Sequence, residues 1–140
     1  MRRKRELWLP IMSTFAEDAA LSLTLAVVKS SPGPLLLLDG NQNIVAASTS
    51  FCQVFEIDPE VASGGLLSDL GDGEWDIPQL KSLLAATVSG AAKIEAYEID
   101  LARKGYTPRQ LVVHAERLAY LDLENLRLLV AVADVTRRAR

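Results

Sequence analysis

His114 and Cys52 are the only histidine and the only cysteine of the chain, so imidazole and thiol chemistry have one candidate each. Nucleophilic catalysis needs a hydroxyl or thiol held against a base. Serines are plentiful, but no Gly-x-Ser-x-Gly elbow presents one. A lone imidazole does not assemble a metal site, and a lone cysteine excludes an internal disulfide and a cysteine-cluster zinc site. Cys52 lies in Phe51-Cys52-Gln53, where a packed apolar thiol is the expectation. The carboxylates Asp69, Asp72, Glu74 and Asp76 invite calcium, yet they lack the spacing of an EF-hand loop. Asp76 is better placed as a helix N-cap, which leaves a solvated acidic loop. Gly71-Asp72-Gly73 is too short for a phosphate loop. The sequence therefore predicts no catalytic residue, no metal site and no enzyme.

Charge narrows the partners. Of 15 basic residues, seven lie in Arg2-Arg3-Lys4-Arg5 and among Arg137, Arg138 and Arg140. The remaining eight face all 18 acidic residues, so residues 6–136 carry a net charge of −10. An acidic body argues against nucleic acid, whose phosphates need a basic face. Glu17 and Asp18 interrupt the only apolar stretch that approaches the ~18 residues of a membrane span. Met1-Arg-Arg-Lys-Arg5 has the charge of a secretion signal, but Glu6 and Pro10 spoil the apolar region behind it. The expectation is one domain in reducing cytosol.

The elements that must position these groups can be read in order. Thr14 and Glu17 form a capping box, which predicts a helix to about Lys29, ended by Ser30-Ser-Pro-Gly-Pro34. Phe15, Ala19, Leu23, Ala26 and Val27 mark one face of it, and Leu21, Leu25 and Val28 another. A helix apolar on two faces is buried on two sides. One side covers its own domain and the other meets a second copy, and Phe15, Leu21, Leu25 and Val28 are the expected dimer contacts. Leu35–Leu38 and Ile44–Ala47 read as strands around a tight turn, and Ser48-Thr49-Ser50 starts a short helix that ends at Asp58-Pro59, where Asp58-Pro59-Glu60-Val61 starts one more helical turn. Asp76 as cap, Pro78 in the first turn and Gln79 at the third position open a helix through Val88, with Gly90 as its stop. Ile94–Leu101 alternates, with Ile94, Ala96, Glu98 and Asp100 on one face against Glu95, Tyr97, Ile99 and Leu101 on the other. Residues 110–119 and 126–133 add two more strands.

This β-β-α-α-α-β-β-β order resembles the PAS domain, an α+β fold with a five-stranded antiparallel sheet and helices on one face. The chain's ending, Leu126-Arg-Leu-Leu-Val-Ala-Val-Ala-Asp134-Val135-Thr136, is similar to the Asp-Ile-Thr signature that closes many PAS domains, with Val135 for the isoleucine. Ser48–Phe55 resembles their small-polar and aromatic helix, and Gly71–Leu80 a variant seen in PAS domains of bacterial signalling histidine kinases. The resemblance covers residues 32–136. It leaves residues 1–31 as a basic segment with a dimerisation helix and residues 137–140 as the start of an output linker.

Several expectations follow from that resemblance. Asp134, Thr136 and Arg137 would relay signals where the strand meets the linker: carboxylate and hydroxyl bond backbone, and Arg137 pairs with the acid. Phe51, Phe55, Trp75, Leu80 and Leu84 would border a ligand cavity. Flavin photochemistry needs a cysteine-bearing run that Val61–Leu70 lacks, and haem needs an axial histidine that Ile77–Val88 lacks, so no cofactor is expected. The implied function is a cytoplasmic sensory or interaction module that forms a homodimer through residues 14–29 and the outer sheet face. It would signal to a histidine kinase or another signalling protein, with a small-metabolite-binding protein as the alternative.

Overall fold

The computed structural model describes residues 22–90, 93–118 and 126–136. Phe15, Leu21 and Arg137 lie outside the described residues, as do both terminal arginine runs. A helix covers residues 22–30 (α1). It is followed by β1 (Leu35–Asp39), β2 (Ile44–Ala47), α2 (Thr49–Phe55), α3 (Pro59–Ala62), a 3-10 turn (Leu67–Asp69) and α4 (Pro78–Val88). β3 (Ile94–Leu101), β4 (Arg109–Arg117) and β5 (Arg127–Asp134) complete the chain. The strands form one antiparallel sheet in the order β2-β1-β5-β4-β3. The first and last strands thus pair at its centre, Leu35 opposite Ala131 and Asp39 opposite Arg127.

Alternation along β1 divides the apolar residues between two faces. Leu36 and Leu38 enter the main core with Phe51, Trp75, Leu80, Leu84 and Val130, under the helices. Leu37 points the other way and forms a smaller cluster with Ala46 and Val28 of α1. Val28 is 1% exposed, and Leu25 packs half-buried on the same cluster. The two faces of α1 separate as the periodicity sorts them, one inward and one outward. Leu25 and Val28, expected at a dimer contact, cover the chain's own sheet. The open side is Leu23 and Val27, 66% and 56% exposed.

Two other expectations change at the level of local geometry. Asp76 does not cap α4: the N-cap is Ile77, without a side-chain bond, and Pro78 takes the first turn. A residue before proline is held in extended backbone, which fixes the boundary one position later than the acid. Asp76 instead pairs with Lys81 at 2.9 Å.

The alternation of β3 also breaks. Ile94, Ile99 and Leu101 are all buried in the main core and Tyr97 packs against it. Between the rungs Ile94–Ala115 and Tyr97–Val113, β3 spans three steps and β4 two. This bulge places Ala96 in the left-handed region, φ 52°. One extra residue reverses the phase, so Ile94 and Tyr97 reach the same side.

Candidate functional site

Ser48 is the hinge pin on which the site is assembled. It is fully buried and caps α2, its hydroxyl oxygen accepting the Phe51 N–H at 3.0 Å. The same hydroxyl accepts the Leu35 N–H at 3.0 Å and donates to the Gly33 carbonyl at 3.1 Å. It therefore fixes the start of α2 to the start of β1. α2 then delivers Phe51 and Phe55 one turn apart, with ring centroids 4.8 Å from each other. Trp75 completes the trio, 5.6 Å from Phe51 and edge-on to Phe55 at 5.4 Å. Such tilted contacts suit the ring quadrupoles. Leu80 and Leu84 of α4 close the same core, so the structure brings all five expected cavity residues together.

A cavity of about 20 Å³ lies beside Phe55 and Trp75, room for one water rather than a metabolite. The Trp75 indole Nε1–H is buried and has no partner among the described residues. Cys52, also buried, has its thiol pKa raised by burial and by the nearby Asp58 carboxylate. A raised thiol is a poor nucleophile.

Antiparallel pairing sets the start of β4 beside the end of β5, and two side chains join there. Arg109 Nη1 donates to Asp134 Oδ2 at 3.1 Å, while the guanidinium carbon lies 5.4 Å from the centre of the Phe55 ring. The other Asp134 oxygen accepts the Thr136 backbone N–H at 2.9 Å and the Thr136 hydroxyl. Gln110 is gripped between them: its N–H donates to Thr136 Oγ1 and its carbonyl accepts the Val135 N–H, both at 2.8 Å. Burial alone would raise the Asp134 carboxyl. The Thr136 bonds and the Arg109 guanidinium outweigh it and hold the carboxyl below the usual range. Among the described residues the base that pairs with Asp134 is Arg109; Arg137, the expected partner, lies outside them.

Arg103 makes a second tie. It faces Asp72 and Glu74 at 3.2 Å each, donates to the Phe55 and Glu56 carbonyls at 3.2 Å, and lies 4.3 Å over Tyr106. The acidic loop is thus not wholly solvated, since the Glu74 side chain is 3% exposed. Gly71 makes this possible. At φ 59° it lets the Glu74 carboxylate fold over it, where a Cβ would collide with Glu74 Oε1.

Sequence reasoning missed Arg103, Arg109 and the three-way role of Ser48. Only Arg109 left a usable signal, because two adjacent antiparallel strands must bring the beginning of one beside the end of the other.

A family model described as PAS fold matches residues 28–140. Among curated proteins none matches the sequence. The PAS domain of Bordetella pertussis BvgS is similar in structure, with TM-score 0.66 and 13% identity over 86% of this chain and 89% of that one. The PAS domain of an HTR-like protein from Haloarcula marismortui gives 0.53 and 19%, over 96% and 98%. The photoactive yellow protein domain of the sensor histidine kinase Ppr from Rhodospirillum centenum gives 0.62 and 14%, over 78% and 91%. At such identity the structures speak to the fold alone, but the family match spans most of the chain together with its closing Asp134-Val135-Thr136. The chain belongs to the PAS fold family.

Proposed function

We propose that this PAS domain is a cytoplasmic sensory and interaction module that works as a homodimer and relays signals to a histidine kinase or similar partner through Asp134, Thr136 and Arg137. The observation that supports it is the continuous contact from Trp75 through Phe55 and Arg109 to Asp134, Thr136 and Gln110. A displacement of the aromatic trio changes the seat of Arg109, and Arg109 holds the end of β5. The aromatic core and the bonded exit, the two parts that a relay needs, are therefore in contact.

Fusing the chain ahead of a histidine kinase core tests the relay. Asp134→Asn and Thr136→Val are expected to change autophosphorylation severalfold, and activity equal to the wild-type fusion would refute the relay. The dimer is tested by light scattering on wild type and on Leu23→Glu with Val27→Glu, the open face of α1. A monomeric wild type at micromolar concentration would end that part of the reading. No helix among the described residues is long and apolar enough to cross a membrane.

The unpartnered Trp75 Nε1–H favours a second reading, a small metabolite that supplies an acceptor after Phe55 and Trp75 part. Thermal-shift measurements with metabolites bearing carbonyl or carboxylate groups test it. A flat response across the series would count against it.

A further inference from the structure

We propose that His114 is a proton-operated lock on the register of β3. Its place in the ladder is specific. The rungs on either side are Ile94–Ala115 and Tyr97–Val113, so His114 is the single β4 residue set against the two bulge residues Glu95 and Ala96. The Ala96 N–H, at a position with no partner in the pairing register, donates to His114 Nδ1 at 3.3 Å. Nδ1 accepts only while it carries no proton. A second proton on the ring turns that acceptor into a donor aimed at another donor.

The bond stands at a place where the backbone needs support. Ala96 is a non-glycine residue at φ 52° in mid-strand, a conformation that persists only where its surroundings hold it. The bulge itself decides which side chains face the core. It brings Ile94 onto the same side as Tyr97, Ile99 and Leu101. Tyr97 in turn donates its hydroxyl to Gln79 Oε1 on α4 at 2.8 Å, which ties the bulge to the helical layer. Loss of the His114 bond therefore loosens the phase of the whole edge strand and its link to α4. β3 is the edge strand of the sheet, so loosening at the bulge breaks no ladder on its far side.

His114 is exposed and borders an open groove on the outer sheet face, with Lys93, Glu95, Glu116, Leu129 and Ala131. Those are the groups that face it among the described residues. β3 contributes the charges of Lys93 and Glu95, β4 that of Glu116, and β5 presents the uncharged Leu129 and Ala131. Lys93 stands 3.9 Å from Glu95 and 3.8 Å from Glu116, so protons reach His114 from solvent past a loosely paired set of charges. Imidazole is the side chain whose charge changes in the pH range cells experience.

Amide hydrogen exchange of Ala96 and Tyr97, read by NMR and expressed as protection factors, tests the lock. In the wild type, protection of Ala96 is expected to fall about tenfold between about pH 8 and about pH 5, the size of one lost hydrogen bond. His114→Asn keeps an acceptor at the δ1 position that does not titrate, and should hold protection level across that range. His114→Leu should show the low value throughout. Equal wild-type protection at both pH values overturns the proposal. So does a His114→Leu variant protected like wild type, or a fall in His114→Asn as large as that in wild type.

Discussion

Arg109 donates to Asp134 at 3.1 Å while its guanidinium carbon lies 5.4 Å from the Phe55 ring centre, so one side chain touches both the aromatic core and the end of the last strand. Neither contact is strong alone, because a partly exposed ion pair contributes little and a cation–π contact about as much. The arrangement matters because the two share one rigid planar group. Removing the guanidinium should thus lose both at once, and a double-mutant cycle can separate them. Arg109→Ala is expected to destabilise by about 1–2 kcal/mol. Combined with Asp134→Ala it should fall short of the sum of the two single losses, as measured by urea unfolding.

The pH dependence of that corner has a definite sign. Its surroundings lower the folded pKa of Asp134, so the ionised carboxylate favours the folded chain. The stabilisation is fully present above the unfolded carboxyl value, about 3.9, and is lost as pH falls through the lower folded one. The stability gap between wild type and Asp134→Asn should therefore be constant from neutral pH down to about 4 and shrink below it. Urea midpoints for both proteins across that range provide the measurement.

Ser48→Ala should be among the more damaging single-atom deletions. It removes a helix cap and leaves the Leu35 N–H and Gly33 carbonyl without their hydroxyl. A loss of about 2 kcal/mol is expected, seen as a lowered thermal midpoint.

Trp75 offers a paired test. Trp75→Ala empties the centre of the aromatic trio and should lose about 3–5 kcal/mol. Trp75→Phe keeps an aromatic ring and deletes the unpartnered N–H, so it should stay within about 1 kcal/mol of wild type. A Phe variant as unstable as the Ala variant would mean that the indole N–H is already satisfied in the folded chain, which would count against the metabolite reading.

Most of the fold was legible because it rests on local signals. Turn residues at Asp39–Asn43 and Gly90, the Asp58-Pro59 start and the apolar runs of the strands each report on a few neighbouring positions. Alternation failed in β3 because a bulge is a one-residue insertion relative to the partner strand, and it shows only once β3 is paired with β4. The cap of α4 shifted because Pro78 constrains Ile77 more firmly than Asp76 attracts the helix end. The closing Asp134 and Thr136 were found by their resemblance to a family signature. Arg103 and Arg109 were not found, because each acts across the fold on partners 25 or more positions away in sequence.

The pairing of β1 with β5 has a mechanical consequence. The two strands run antiparallel, so the start of β1 and the end of β5 lie at the same end of their shared ladder. Tension applied between whatever precedes residue 34 and whatever follows residue 136 pulls that ladder open from one end. Its hydrogen bonds are then loaded one after another rather than all together in shear. The bonds of Val132 to Pro34, Thr136 to Asp134 and Gln110 to Thr136 are the first to meet that force. The domain should yield to pulling as a zip does, beginning at Asp134.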